Sequence, residues 1–593
     1  MLTPRPLARL DRRVIPLSGL CILIAFAAGV LAQGLSRLID ILTNLAFYGR
    51  ISSHFASPAG NALGPWVIAV PMAGGLVVGL MARYGSKAIR GHGIPEAMEQ
   101  VLFNQSRIPA RMTFLKPLSA AISIGTGGPF GSEGPIIATG GALGSLAGQL
   151  VSVTADERKI LLAAGAAAGM AATFGTPVSA VLLAIELLLF EYRARSFIPV
   201  ALASATAAGV RIAFVGNRPV FPVPDLVQPS GRALACYVVL GAMIGVAAVL
   251  VTRTVYWLED GFERLPLHWM WWPLLGGLFV GIVGYFVPRT LGVGYDNIDA
   301  LLSGDLLGRG LLLLCACKFA SWAVSLASGT SGGTMAPLFT FGAGLGSALG
   351  SLGIALLPQL GLDVRVAALV GMAAMFAGAS HALLASVVFA FETTRQALGL
   401  LPLLGGCTAA FLASSLLMRN SIMTEKIARR GVRVSTDYSV DFLDQVLVGD
   451  CASTPVVSLQ ADQTLDDVRE MLASQAAGMS HQVFPVLAGN TLVGVVTHRD
   501  LLDPSSSGAS FVREVVKRPP VVAYPDNSLR EAADHMVAAR VGRLPVVPRD
   551  DPTRVVGMLT RSDLLEAHRQ RMRDARQTGR GFGLYGLAAE PGA

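Results

Sequence analysis

The sequence predicts an all-α polytopic membrane domain built from two repeats, followed by a soluble α/β module at the C-terminal end. Three observations predict it. First, 52% of the 593 residues are hydrophobic and only 15% are charged, where a soluble domain carries about 25% charged residues. Second, the glycine-rich stretch 123–148 returns at 325–350 with a constant offset of 202, which pairs Gly127 with Gly329, Gly131 with Gly333, Pro135 with Pro337, Gly140 with Gly342 and Gly148 with Gly350. Third, the long apolar runs end near residue 420, and the charged residues concentrate after it.

The elements follow in order. Residues 1–13 carry Arg5, Arg9, Arg12 and Arg13 ahead of an apolar run at 14–31. By the positive-inside rule this predicts a first membrane helix with a cytoplasmic N-terminus. Further apolar runs lie at 66–81, 114–124, 134–153, 159–174, 178–190 and 197–214. The second half repeats the rhythm at 233–255, 270–287, 311–326, 336–357, 366–379, 383–391 and 398–418. The repeats are placed at about 60–220 and 232–420; sequence identity alone leaves open whether they are parallel or inverted. Many runs are shorter than the ~20 residues of a plain span, and several break at Gly or Pro. Broken helices persist at membrane depth only where they are buried in protein or line a cavity.

The segment 421–430 ends in Arg429 and Arg430 and predicts a polar helix leaving the membrane on the cytoplasmic side. A linker at 432–449 leads to alternating short strands and helices. GVVTHRDLL at 494–502 and GMLTRSDLL at 557–565 match at an offset of 63, so two small units are expected, at 450–506 and 510–568, with a disordered tail at 569–593. The net charge of +8 fits cytoplasmic loops and gives no reason to expect a nucleic-acid partner. The six cysteines are scattered with no CxxC, and no metal site is expected.

One carboxylate stands out. Glu133 lies between glycines in GSEGP, and its repeat counterpart is Met335. A carboxylate inside a membrane domain is costly unless it is paired or functional. Gly134-Pro135 starts a helix here, with Pro at a favoured first-turn position. A helix N-terminus offers unsatisfied N–H groups and a partial positive charge, which suit an anion. Glu133 therefore reads as a tethered anion, a gate that also accepts a proton; the competing reading is a structural cap. GGTMAP at 332–337 and GHGIP at 91–95 supply two further helix starts. Backbone donors without a dense cationic array suit a small inorganic anion. No Walker loop is present, and GTSGG at 329–333 lacks the context of a nucleophile elbow, so no enzyme is expected.

These residues resemble the ClC chloride channel and transporter family, in its bacterial ClcB-like branch. Four motifs carry the resemblance, GHGIP (91–95), GSEGP (131–135), GGTMAP (332–337) and SIMTEKIARRG (421–431), over roughly residues 14–431. The resemblance implies two inverted repeats of broken, tilted helices and a homodimer with one anion path per subunit. It also implies chloride as the transported ion, a bacterial inner-membrane location and cytoplasmic termini. Its anion contacts map to His92, Gly93, Ile94, Gly134, Pro135, Ile136, Gly333, Thr334, Met335 and Met423. The two C-terminal units resemble a tandem CBS pair. There Thr497, Asp500, Thr560 and Asp563 would meet an adenine nucleotide, the only cofactor implied; the alternative is that they cap helices.

The departures from the family pattern bear on mechanism. His92 replaces a common Ser and Met423 a common Tyr, whose hydroxyls would touch the ion. Ser132 replaces a basic residue common before the gating Glu. Glu186 is followed by Leu187, where proton-coupled members carry a second acid. Glu133 and Glu186 are the proton-relay candidates, and His381 is an alternative. The leading expectation is a glutamate-gated chloride channel, regulated through the CBS pair. The runner-up is an H⁺/Cl⁻ antiporter on the same scaffold, and a third reading makes the CBS pair an energy sensor.

Overall fold

A computed structural model describes residues 12–223, 226, 228–431, 443, 446–474, 483–503 and 510–578. Residues 1–11, most of the expected linker 432–449 and the tail from 579 lie outside the described residues. The chain forms two compact units, Leu10–Tyr438 and a C-terminal one that begins at Ser439.

The first unit is helical. In order it contains α1 (Val14–Tyr48), α2 (Ala69–Tyr84), α3 (Ile94–Phe103), α4 (Met112–Gly125), α5 (Glu133–Leu150), α6 (Ala155–Phe174), α7 (Pro177–Ala184) and α8 (Ala194–Val215). Then come α9 (Gly231–Glu263), α10 (Trp272–Phe286), α11 (Tyr295–Ser303), α12 (Gly308–Ala327), α13 (Met335–Leu356), α14 (Val364–Ser380), α15 (Leu383–Thr394), α16 (Leu400–Leu417) and the single turn α17 (Glu425–Ala428). Eight of the described helices are long and apolar enough to cross a membrane. The alanine- and glycine-rich α6 and α14 are buried along nearly their whole length, as expected of helices that are apolar all round. Pro95, Pro135, Pro177 and Pro337 each stand in the first turn of a helix, where the missing N–H costs nothing.

The repeats are inverted, and the structure decides this through reciprocal contacts. Gly75 in α2 packs on the carbonyl of Pro273 and Gly79 on that of Met270, while Gly277 in α10 packs on Pro71 and Gly281 on Ile68. A Cβ at these four glycines would lie 2.1, 2.2, 2.2 and 2.5 Å from the facing oxygen. Each contact is the other repeat's contact exchanged, which requires a two-fold relation. Rising positions in α2 meet falling positions in α10, so two equivalent spanning helices run antiparallel. That places the two-fold in the membrane plane. The glycine loops obey the same relation: Gly131 N–H donates to Gly333 O at 3.2 Å, and Gly333 N–H to Gly131 O at 2.8 Å.

The C-terminal unit holds two small α/β modules. β1 (Leu459–Gln460) runs parallel to β2 (Val483–Ala488), which pairs antiparallel with β3 (Thr491–Thr497). In the second module β4 (Arg543–Val546) pairs antiparallel with β5 (Gly557–Thr560). Each module has its own buried core, around Phe484 and Val486 in one and around Leu544 and Leu559 in the other. Amphipathic helices cover the sheets at Leu465–Ala473 and Leu529–Ala539.

Two expectations are corrected. The helix after β5 runs Arg561–Thr578, so the first ten residues of the stretch expected as a disordered tail, 569–578, are helical. Its charged sequence has no apolar run, which is why hydropathy missed it. The expected helix over 421–430 is one turn, Glu425–Ala428, preceded by turns. There Ser421 N–H and Thr424 Oγ1 close a local hydrogen bond of 2.9 Å, and such side-chain bonds compete with the helical ladder.

Candidate functional site

The starts of α3, α5 and α13 converge. A Cβ on Gly134 would lie 2.0 Å from the His92 carbonyl oxygen, and one on Gly93 would lie 2.3 Å from the Gly134 oxygen. Glycine is therefore the residue that lets these backbones touch. Gly131 and Gly333 lock the α5 and α13 loops together as described. Glu133 itself meets the starts of two further helices, α13 at Ala336 and α11 at Tyr295.

Glu133 is fully buried as the first residue of α5. Its Oε1 accepts a hydrogen bond from the Tyr295 hydroxyl at 2.8 Å, and Oε2 has no partner among the described residues. The carboxylate is faced by the amides of Glu133 itself and of Ala336, in the first turn of α13. A Cβ on Gly131 would fall 1.6 Å from Oε2, so the side chain folds back over its own loop. Two more buried polar atoms here have no partner among the described residues, His92 Nδ1 and Thr334 Oγ1. Buried polar atoms normally find a partner, so three orphans at the meeting point of three helix starts fit a polar guest.

The hydrogen bonds redistribute the expected anion contacts. Gly333 N–H is committed to Gly131, Gly93 N–H to Glu96 Oε2 at 2.7 Å, and Ile136 N–H to Ser132 O at 3.1 Å. Pro135 has no N–H. First-turn amides lack an intrahelical acceptor, which leaves those of Glu133 and Gly134 in α5, Met335 and Ala336 in α13, and Ile94 in α3. Met423 is fully buried and its N–H donates to Ser421 Oγ at 3.2 Å; its neighbour Ile422, not Met423, lines the adjoining cavity. That cavity, about 490 Å³, is walled by His92 together with Arg90, Glu96, Tyr256, Glu259 and Lys426. His92 thus stands between it and the helix starts. Lys426 pairs with Glu96 at 3.2 Å, and Tyr256 Oη donates to Ile422 O at 2.9 Å.

Glu186 is brought to a different place. Its Oε1 and Oε2 accept from the N–H groups of Leu384 and Ala385, both at 3.0 Å, at the start of α15. Glu392 does the same for Val178 and Ser179 of α7, at 3.0 and 2.8 Å. Leu187 is buried beside it, and both line a cavity of about 590 Å³ that also holds His381. His381 Nε2 has no partner among the described residues.

Sequence reading missed three groups. Tyr295 opens α11 behind Gly292-Val293-Gly294, the repeat counterpart of Gly91-His92-Gly93; the shared G-x-G spacing was the available signal. Lys116 and Lys318 are buried and equivalent. Each donates to two loop carbonyls, Ile89 and Gly91 for Lys116, Thr290 and Gly292 for Lys318, at 2.7 to 3.0 Å. Phe174 and Phe221 pack edge-on to Tyr295, and behind Phe174 lies Phe389, edge-on to it and stacked on Phe339.

In the C-terminal unit Thr497 and Asp500 line a cavity of about 410 Å³ with Lys517, Arg518 and Arg543, whereas Thr560 and Asp563 do not line it. Both pairs also form capping contacts, Thr497 Oγ1 to Asp500 Oδ2 at 2.5 Å and Thr560 Oγ1 to Asp563 Oδ2 at 2.8 Å. Burial pushes the Asp500 carboxyl up, and the Thr497 hydrogen bonds and the Lys517 ammonium outweigh it, holding Asp500 below the usual carboxylate range.

Inverted repeats whose broken helices aim their N-termini at one buried point are the architecture of a membrane transporter, and N-termini so aimed suit an anion. A family model described as "Voltage gated chloride channel" matches residues 74–415, and the chain belongs to that family. CBS domain models match 448–506 and 512–569. Among curated relatives, a Ralstonia nicotianae protein named as a ClcB-like chloride channel protein is 30% identical, over 62% of this chain and 86% of its own length. The H(+)/Cl(-) exchange transporter ClcA of Vibrio campbellii is 28% identical, over 64% and 86%. The fold matches a slow cyanobacterial Cl-/H+ antiporter with a TM-score of 0.63 at 23% identity, covering 71% of this chain and 98% of that one.

Proposed function

We propose that the chain conducts chloride passively across a bacterial inner membrane, as a homodimer with one path per subunit and Glu133 as the gate of each. The observation that supports the gate is the buried Glu133 carboxylate, held against the α5 and α13 starts with one oxygen unpartnered. Ionised, it occupies as a tethered anion the place that a chloride ion would take. Protonated, it loses the charge that the helix N-termini favour, and the ion replaces it. The ion is then held by the first-turn amides of Gly134, Met335 and Ala336, and by His92 where the path meets the adjoining cavity. Dipoles and backbone donors bind it weakly enough to let it leave.

Conduction rather than exchange is favoured by Leu187, which cannot carry a proton, and by Glu186, both of whose oxygens are used as a helix cap. The exchange reading is supported by the ClcA relatives and by unpartnered His381 in the same cavity as Glu186. Liposomes loaded with a chloride gradient and no pH gradient separate the two. Chloride efflux on adding a K⁺ ionophore, with internal pH unchanged, is the expected result; protons driven uphill by chloride would establish exchange. Glu133→Gln should make the flux independent of pH. The C-terminal cavity is proposed to take an adenine nucleotide, with Thr497 and Asp500 at one wall and Arg518 and Arg543 supplying positive charge for phosphate.

A further inference from the structure

We infer that Tyr295 is a latch on the Glu133 gate, a positioning residue that ties the open fraction of the path to pH. The inference rests on the gate reading above and adds to it the residue that holds the gate shut. The Tyr295 hydroxyl donates to Glu133 Oε1 at 2.8 Å, and Ser132 Oγ lies 3.3 Å from the same hydroxyl. For an ion to replace the carboxylate, this hydrogen bond must break.

The ring is fixed from several sides. Phe174 and Phe221 meet it edge-on, with centroids at 6.1 and 5.9 Å. The loop that carries it is clamped from below by buried Lys318, whose ammonium donates to Thr290 O at 3.0 Å and to Gly292 O at 2.7 Å. Asn297 Nδ2 donates to Arg289 O at 2.9 Å and ties the first turn of α11 to the same loop. A donor held this firmly loses little freedom in making its bond, so the bond weighs fully on the closed state.

The repeat relation gives a second, independent observation. Tyr295 corresponds to Ile94, and Glu133 to Met335. The pair that is polar on one side of the two-fold is wholly apolar on the other. The hydroxyl is present only where its partner is charged, as a gate contact requires and a generic core ring does not.

The latch is pH-sensitive because hydrogen bonds to an ionised acceptor are about twice as strong as those between neutral groups. Ionised Glu133 is held; protonated Glu133 is released. The titratable groups around the pair are Asp296 on α11 itself, Asp40 of α1 across a cavity of about 190 Å³ that Tyr295 and Ser132 also line, His92 beside the α5 start, and Lys318 under the loop. Among the described residues Tyr295 is the one side chain that hydrogen-bonds the carboxylate.

The test uses the full chain in liposomes, with chloride flux measured across a pH series for the wild type, Tyr295→Phe, Glu133→Gln and the double variant. Tyr295→Phe removes one oxygen and keeps the ring contacts. It is expected to raise flux at neutral pH by about tenfold, the worth of a hydrogen bond to a charged group, and to move half-maximal flux about one unit to higher pH. In the Glu133→Gln background Tyr295→Phe should change nothing. Lys318→Met, which loosens the loop, should move the profile in the same direction by less. A Tyr295→Phe profile that superimposes on the wild type, while Glu133→Gln abolishes pH dependence, overturns the latch and leaves the gate standing. Retained pH dependence in Glu133→Gln overturns the gate and the latch together.

Discussion

Glu186 and Glu392 each spend both carboxylate oxygens on the helix start of the other repeat. A carboxylate so placed satisfies two amides that would otherwise be buried without partners, and it complements the positive end of the helix. Glu186→Ala should therefore cost about 1–2 kcal/mol, the usual worth of a lost cap, and Glu392→Ala about the same. Thermal unfolding in detergent measures both. If Glu186 were instead a proton relay, its removal would stop proton movement while the melting temperature stayed level with that of the wild type. At this scale Glu133 stood out because a lone acid between glycines in an apolar run is costly to bury. Tyr295 did not: a buried tyrosine in an apolar segment looks like any core ring until its hydroxyl is seen to face a carboxylate. Gly93, Gly333 and Ile136 were expected to offer N–H groups that the fold uses for its own loop and helix closure, a cost in donors that spacing along the chain does not reveal.

Helix α2 crosses α10 through glycines that leave the facing carbonyls no room for a methyl group. Gly75→Ala and Gly277→Ala should each push the helices apart and cost about 1–3 kcal/mol, as overpacking does. Gly19→Ala in α1, with nothing within 4 Å of its would-be Cβ, should instead stabilise by up to about 1 kcal/mol through helix propensity. The comparison of melting temperatures separates tight packing from mere glycine content. Hydropathy located the elements well because bilayer length and apolar composition leave few alternatives for a long apolar run. It failed at the ends. α1 extends to Tyr48 and α9 to Glu263, through polar residues on helices already committed to the bundle. The start of α6 is set instead by a capping box, Thr154 with Glu157, which hydropathy ignores. The crossing geometry that makes the repeats inverted depends on which glycine meets which carbonyl, and a one-dimensional offset contains no such information.

At the scale of the molecule, the two units each carry their own core, and the CBS pair was legible from its duplicated GVVTHRDLL and GMLTRSDLL segments. What the duplication hid is that only one of the two Thr/Asp pairs reaches the cavity between the modules. Titration of the full chain with an adenine nucleotide should accordingly lose about tenfold in affinity on Arg518→Ala, while Thr560→Ala leaves it unchanged. Asp500 adds a pH term. Because its folded-state value lies below the unfolded one, its contribution to stability is present above the ordinary carboxylate value of about 3.9, and is lost as the pH falls through the folded value. The C-terminal unit's melting temperature should fall on acidification, and Asp500→Asn should flatten that fall. The inverted repeat has a wider consequence. A scaffold related to itself by a two-fold in the membrane plane presents nearly the same face to both compartments, so by itself it cannot tell inward from outward. Within the repeats, rectification must come from positions where the two copies disagree, and three of these stand at the site: Glu133 against Met335, Tyr295 against Ile94, and His92 against Val293. Inside the repeats, the sense of direction is written in a handful of side chains on a frame that has none.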